Sequence, residues 1–369
     1  MSDLASHLPA LLMRARALLR LPGGPPCELA KAEVPKAAAA VLALHEGLVG
    51  GRALARAGTY DEAFHLGAYL LWWWPQTYEK TRAALSLSAL PPLRSTARSG
   101  AGADELRARS VRPGPRILDL GAGPGPAAIA ALDALGGEAL AVDKSSAALA
   151  EARALGRVRT QELDLSREPA PPGFDLTLAA NVLSELPAAR RRALIEPLQG
   201  VVVLIEPALR ETGRALLELR DGLLAGGAWK ALAPCLTQRP CPALAAPKDW
   251  CTAEQRWSPP RHVVQLADAT GLRADELLSF APLVLARSAP VPQPGVFRVV
   301  GVPQPEKGKR RFFVCNDQGR LPLSRLDRQA SPANEAFGLL ERGDLVRLGA
   351  LEQRGDGLRV GLETKVEKL

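Results

Sequence analysis

The sequence predicts an α/β protein, with a doubly wound parallel sheet set between a helical N-terminal segment and a small C-terminal β domain. Three observations predict it. Between residues 104 and 288, short apolar runs alternate five times with helical stretches, the pattern of a parallel sheet covered on both faces. Residues 1–95 are dominated by Ala and Leu and read as helices. After Pro290, Pro292 and Pro294 come short strand-like runs, several of them separated by glycine-containing turns.

Residues 1–21 carry Arg14, Arg16 and Arg20 against one acid, Asp3. Such a stretch has the composition of a transit peptide. The whole chain is rich in Ala, Arg, Pro and Leu, however, so an ordinary amphipathic first helix is expected. Pro22-Gly23-Gly24-Pro25-Pro26 separates it from the second. A further segment opens at Asp61 and runs to Trp74, and Pro75 is expected to start a new helix. Trp72, Trp73 and Trp74 cannot all face one core, so at least one is expected to face a partner or another domain. Residues 95–103 read as a small, polar linker.

The five strands of the sheet fall at 116–120, 139–143, 158–164, 174–180 and 201–206, with helices at 127–135, 188–198 and 211–224 and one capped by Ser145 through Leu155. A cysteine- and proline-rich insertion, 228–260, interrupts the pattern. A helix at 263–270 and a strand at 283–287 close the domain. The last runs, 296–302, 311–315, 345–351 and 358–364, suggest a β-barrel of the five-stranded oligonucleotide-binding (OB-like) type. The expected domains are therefore 1–95, 104–288 and 295–369.

The net charge is +8. Residues 1–100 hold 11 basic and 7 acidic side chains, residues 101–296 hold 22 of each, and residues 297–369 hold 14 and 10. The excess sits on the two flanks, which suits a polyanion such as RNA and also serves solubility. No apolar run approaches bilayer length, so no membrane partner is expected. Five cysteines with no secretory signal before them argue against a disulfide framework.

Chemistry concentrates in two places. The first is Asp119 through Gly125, which reads Asp-x-Gly-x-Gly-x-Gly between a strand and a helix. Glycines there bring backbone close to a ligand. Pro126 stands where a dinucleotide fingerprint has its third glycine. The order resembles the first motif of Rossmann-like methyltransferases, which implies S-adenosylmethionine (SAM) held by Gly121, Gly123 and Gly125. By that resemblance Asp119 faces the methionyl ammonium, Asp143 accepts from the ribose hydroxyls, and Asp164 lies near the adenine amino group. Each carboxylate has an alternative role as a cap or turn residue. Asn181 follows the fourth strand, where many amino-group methyltransferases carry an Asn or Asp, two prolines and an aromatic. The prolines and aromatic are missing here, and Asn181 is the one candidate catalytic residue.

The second place is Cys235, Cys241 and Cys251, spaced C-x5-C-x9-C. Clustered thiols with no disulfide prospect suggest a metal or iron–sulfur centre. A fourth ligand would be Cys315 or His262, with Cys27 far upstream.

These residues together resemble the ribosomal small-subunit methyltransferase-like family, known from mitochondrial ribosome assembly and from bacterial homologues. The resemblance runs from about Ala68 to Cys315. It rests on Trp74-Pro75-Gln76-Thr77-Tyr78, the run from Leu118 to Gly125, Asn181-Val182-Leu183-Ser184-Glu185-Leu186, Ile205-Glu206-Pro207 and, most specifically, Ala233-Pro234-Cys235, Arg239-Pro240-Cys241-Pro242 and Asp249-Trp250-Cys251. It implies a [4Fe–4S] cluster on Cys235, Cys241, Cys251 and Cys315, with zinc as the alternative. It also implies binding to the small ribosomal subunit and its rRNA, as a bacterial cytoplasmic monomer. The sequence departs from the family at Leu236-Thr237, Thr252 and Ala208, which spares the cysteines but weakens the case for retained catalysis. The readings in competition are an iron–sulfur ribosome factor, an RNA methyltransferase with Asn181 at the target, and a zinc-stabilised RNA-binding module with a vestigial SAM pocket.

Overall fold

A computed structural model describes residues 3–50, 61–87, 114–288 and 294–369. The expected linker at 95–103 and residues 289–293 of the proline linker lie outside the described residues. The helices are α1 (Leu4–Leu19), α2 (Val34–His45), α3 (Ala63–Ser86), α4 (Pro126–Leu135), α5 (Ser146–Leu155), α6 (Ala188–Ile195), α7 (Arg210–Ala225) and α8 (Arg261–Thr270). The strands are β1 (Arg116–Leu120), β2 (Glu138–Asp143), β3 (Val158–Glu162), β4 (Leu176–Ala180), β5 (Val201–Pro207), β6 (Lys230–Ala233), β7 (Ala253–Arg256), β8 (Leu277–Ala286), β9 (Val296–Val299), β10 (Gln304–Glu306), β11 (Lys309–Asn316), β12 (Gly319–Leu326), β13 (Leu345–Leu348), β14 (Glu352–Arg354), β15 (Gly357–Arg359) and β16 (Val366–Lys368). The chain divides into two compact units, Met1–Ile205 with Gln255–Leu278, and Glu206–Glu254 with Ser279–Leu369.

In the first unit, β1 to β5 form a parallel sheet in the order β3-β2-β1-β4-β5. Leu118 of β1 stands opposite Leu140 on one side and Thr177 on the other. This is a Rossmann-like arrangement. The strand order reverses between β1 and β4, and in such sheets the crevice at the carboxyl ends of the strands there is where ligands bind. The loop after β1 therefore opens at the switch point. The central strands β1, β4 and β5 are largely buried on both faces, with Ile117, Leu118 and Leu120 fully buried, while the edge strand β3 is mostly exposed.

The N-terminal helices pack in the same unit. α1 buries Leu4, Leu8, Leu11, Leu12, Ala15 and Leu19 along one stripe, as an amphipathic helix should. Asp3 caps its start by accepting from the Ser6 N–H at 3.3 Å. The break expected at Pro75 does not occur, since α3 continues through it. A proline inside a helix leaves the carbonyl four residues earlier without its donor. That carbonyl belongs to Leu71, and the buried imidazole of His262 on α8 approaches it. His262 is thus part of this unit's helical packing, where burial pushes its pKa down to about 4 and keeps the ring neutral. The tryptophans divide as helical geometry requires. Trp72 and Trp74 are buried, while Trp73 is half-buried and stacks on Tyr69 with ring centroids 6.3 Å apart.

In the second unit, β6 pairs antiparallel with β8. The C-terminal strands run in the order β14-β15-β12-β11-β9-β13-β16, with β10 on β11. Their core is Phe297, Val299, Phe312, Val314, Leu323, Phe337 and Val346 with their neighbours. The expected closed five-stranded barrel is not found. Closure requires the end strands to pair, but among the described residues β14 and β16 end an open order. One pairing, β12 with β15, is parallel. Among the described residues no helix is long and apolar enough to cross a membrane.

Candidate functional site

The turn after β1 is built by glycines in the left-handed region, with φ of +65° at Gly121, +52° at Gly123 and +79° at Gly125. They serve different ends. A Cβ on Gly121 would fall 2.3 Å from Cγ2 of Val182, and one on Gly125 would fall 2.9 Å from Cβ of Ala152, so both allow close packing. A Cβ on Gly123 would meet no protein atom within 4 Å. Gly123 therefore borders open space at the switch point, a cradle that a side chain would fill. Pro124 lends its carbonyl to the Trp74 indole N–H at 3.1 Å, fixing the loop to α3. Gly125 is the N-cap of α4, whose free N–H groups give this end a partial positive charge.

The three candidate carboxylates differ in setting. Asp119 is buried and accepts from the Ala128 N–H at 2.9 Å. Burial pushes its pKa up to about 7, with Asp143 adding a smaller push. Asp143 accepts from the Gly123 N–H at 2.8 Å and the Ser145 N–H at 2.9 Å. Burial raises its pKa as well, against those hydrogen bonds and Lys144. The same carboxylate thus shapes the loop and lies at its mouth. Asp164 follows β3 and is partly exposed, and its carboxylate accepts from the Ser166 N–H and hydroxyl at 2.9 and 2.6 Å. These bonds hold its pKa below the usual range.

Asn181 leaves β4 in the left-handed region at φ +59°, uncommon outside glycine although Asn tolerates it best. Its Nδ2 lies 3.4 Å from the Thr77 hydroxyl of α3. Thr77 shares a hydrogen bond with the Tyr69 phenol. The sequence reading missed Tyr69 and Thr77 at this site. Their spacing, with Trp73 between them, is i, i+4, i+8 on one helix face, a signal that was readable.

The four cysteines implied by the family resemblance meet in the second unit. Cys235, Cys241, Cys251 and Cys315 line one pocket with Pro234, Trp250, Arg298 and Arg320. Cys235 follows β6, and Cys315 lies on β11 opposite Arg320 of β12. Burial drives the Cys251 and Cys315 thiols up to about 12, and Cys235 and Cys241 push each of them further in the same direction. Cys241 is raised for the same reasons. Cys27 is exposed and belongs to the first unit.

Arginines hold this pocket. Arg220 of α7 is fully buried. It donates to the Thr237 carbonyl at 2.5 Å and the Arg239 carbonyl at 2.9 Å, and it pairs with Asp221. Asp221 in turn accepts from the Cys241 N–H at 2.8 Å. Arg214 donates to the carbonyls of Ala246 and Asp249, each at 2.9 Å. Trp250 lies so close to α7 that a Cβ on Gly213 would come within 2.9 Å of its ring. Protein contacts tie the insertion to the β domain, through Arg320 to Asp249 at 2.5 Å and Arg342 to Thr252 and Glu254 at 2.9 and 2.8 Å. Replacing Arg220 with Met should cost about 3–5 kcal/mol of stability, since Asp221 and two carbonyls lose a buried cation. Urea unfolding would measure it, and a cost below about 1 kcal/mol would show that Arg220 does not organise the loop.

The densest basic run of the β domain is mostly engaged within the protein. Lys309 pairs with Glu306 at 2.9 Å, Arg311 reaches Gln304 at 2.8 Å, and Arg310 donates to the Gly338 carbonyl at 2.5 Å. Lys307 is exposed.

A ribosomal protein L11 methyltransferase of Thermus thermophilus is 40% identical over 141 residues, which is 34% of this chain and 54% of that protein. The chain thus spans about half the length of this curated relative. Among solved structures, a TehB-like SAM-dependent methyltransferase of Corynebacterium glutamicum matches at 18% identity over 50% of this chain and 84% of its own, with a TM-score of 0.31. Magnesium protoporphyrin IX methyltransferase of Synechocystis, solved with bound SAM, matches at 12% identity over 68% and 97%, with a TM-score of 0.32. Residues 104–336, more than half of the chain, match the family described as mitochondrial small ribosomal subunit Rsm22, and the chain belongs to that family.

Proposed function

We propose that this protein is a SAM-binding factor of the small ribosomal subunit that carries a [4Fe–4S] cluster on Cys235, Cys241, Cys251 and Cys315. One observation carries the cluster: cysteines from separate segments of the chain line a single pocket beside Arg298 and Arg320, with Arg220 close by. Thiolates are the donors that iron–sulfur clusters take, and buried guanidinium groups offset the negative charge that such a group brings. Zinc is the alternative occupant, since it takes thiolate ligands as well. Among the described residues no group of three or more His, Cys, Asp or Glu side chains is placed to hold a metal ion. When bound, a cluster supplies a one-electron couple. The chain's own part is to give up thiol protons, which the raised pKa values of Cys241, Cys251 and Cys315 make costly until metal arrives.

The open cradle at Gly123 supports SAM as the ligand of the first unit, with Gly121 and Gly125 shaping the loop, Asp143 at the ribose, Asp119 at the ammonium and Asp164 toward the adenine. The family's description and the basic flanks support the small ribosomal subunit and its rRNA as partner. Methyl transfer to rRNA is the second reading. The L11 methyltransferase relative supports methyl transfer as a class of reaction, the family's ribosomal description supports rRNA as acceptor, and Asn181, whose Nδ2 lies 3.4 Å from the Thr77 hydroxyl, is the candidate positioning residue. The test is anaerobic purification followed by iron analysis and a SAM titration on the same sample. A brown protein with about four irons per chain that binds SAM is expected. A colourless protein that gives no heat with SAM would overturn the reading.

Asp119 makes the cofactor half dependent on pH. Its folded pKa is raised to about 7, so the stability it lends the ligand-free protein is full below the ordinary aspartate range and is lost as pH rises through 7. Binding a cation runs the other way, because the carboxylate form is the partner. SAM affinity should therefore rise between pH 5.5 and 7, by up to about tenfold per unit, since one proton leaves on binding. Asp119→Asn should flatten that profile in calorimetry, and a flat wild-type profile would remove Asp119 from the ammonium site.

A further inference from the structure

The cysteine pocket contains a row of charge. On β11, Cys315 stands opposite Arg298 of β9 on one side and Arg320 of β12 on the other. Residues directly opposite in an antiparallel pair point to the same face, with Cβ atoms about 4.5–5.5 Å apart. Phe297, Val299 and Val314, chain neighbours of Arg298 and Cys315, lie in the β core, so the row Arg298–Cys315–Arg320 occupies the other face of the sheet. There all three line the pocket that Cys235, Cys241 and Cys251 complete. Arg298 is only 6% exposed. Its Nη1 donates to the Gly343 carbonyl at 2.7 Å, and its Nε has no acceptor. Arg220 and Arg320 each pair with a carboxylate, Asp221 and Asp249 respectively. Among the described residues no ion pair joins Arg298 to a carboxylate. Asp344, whose charge acts on it at longer range, pairs with Lys368 at 2.9 Å.

A charge taken out of water is costly unless it meets an opposite charge. Resting on the cluster reading above, we propose that Arg298 is the counter-ion of an anionic cluster in this pocket and that it favours the reduced form of that group. Four thiolates outweigh the positive charge of an iron–sulfide core, so the group to be held is an anion. One electron from a small external reductant breaks no bond and adds one negative charge. A buried cation stabilises the more negative state more strongly, so Arg298 raises the reduction potential. Hydrogen bonds to the sulfurs also tune that potential, and the Nε–H of Arg298 is a donor with no acceptor in the chain. Arg220 and Arg320 are already offset by their aspartates, which leaves Arg298 as the cation of the three whose charge the protein does not balance.

The test is the midpoint potential of the anaerobically purified full chain, measured by spectroelectrochemistry, with iron analysis on the same sample. Arg298→Met should keep about four irons per chain and hold about tenfold less of the reduced form at a given potential, a downward shift of about 59 mV for one electron. Arg298→Lys, which keeps the charge, should recover about half of that shift or more. Arg342→Met breaks a tie between the insertion and the β domain outside the pocket lining, and it should leave the potential where it is. If Arg298→Met cannot hold iron, Arg298→Lys decides. Full iron with a parent-like potential there upholds the role of charge, and iron loss there as well overturns it. A parent-like potential in an iron-replete Arg298→Met would overturn the proposal while leaving the cluster standing, as would an equal shift in Arg342→Met. A colourless, iron-free parent would overturn the proposal and the cluster reading together.

Discussion

Serine at Cys315 should strip the protein of most of its iron, from about four atoms per chain to less than one. The brown colour should go with it. Serine at Cys235, Cys241 or Cys251 should do the same, and serine at Cys27 should change neither. The alkoxide of serine is a far poorer ligand for iron than a thiolate, and the pocket holds no fifth cysteine. Because Arg320 with Asp249 and Arg342 with Glu254 hold the segments together without metal, the Cys315→Ser protein should remain folded, with a circular dichroism spectrum matching the parent. Loss of iron with retained fold is the distinguishing pair of results. Full iron in Cys315→Ser would dismiss the four-cysteine arrangement, and iron loss in Cys27→Ser would show that the effect is not local to the pocket.

At the other site, Gly123→Val should weaken SAM binding on the order of 100-fold. A β-branched residue in the left-handed region is itself disfavoured, by about 1–2 kcal/mol, and its side chain would occupy the space in which no protein atom stands within 4 Å. Asp143→Ala should weaken binding by a similar amount, on the order of 100-fold, by removing a charged acceptor from both the ligand and the Gly123 N–H. Asp143→Asn separates these effects, because one carbonyl oxygen remains to hold the loop. Calorimetry on variants with unchanged melting temperature is the measurement. Parent-like affinity in both Gly123→Val and Asp143→Ala would refute the assignment of this loop to SAM.

Much of this was legible because local chemistry fixed it. The strand at 116–120 needed only five residues bounded by glycine and proline, and Ser145 accepts from the Ala148 N–H as a cap does. The cysteine quartet was legible only through family resemblance, since its members join segments that spacing does not connect. The errors come mainly from contacts made far along the chain. Pro75 does not end α3, because Trp74, Pro75, Thr77 and Tyr78 are all buried in their unit's packing. β12 was missed because Pro322 lies within it. The strand forms because β11 pairs along its whole length, with Phe313 opposite Pro322. Arg220 reads as one more charged residue on an amphipathic helix. Its buried role depends on carbonyls of a loop 17 and 19 residues away. Barrel closure failed as an expectation because strand count and turns do not specify which edges meet.

Both units are discontinuous in the chain, and this sets an order of events during synthesis. The first unit cannot be completed until residue 278 has been made, and the pocket of the second waits for Cys315, 64 positions after Cys251. At about 5–20 residues per second, three of the thiols emerge and then wait several seconds for the fourth. During that interval an incomplete thiol set is open to oxidation. The loop around Cys241 need not wait for strand β11, since Arg220 and Arg214 bind its carbonyls from α7, which is made before it. In the folded chain those arginines fasten the segments next to the first three thiols to α7, with no contact that needs the last.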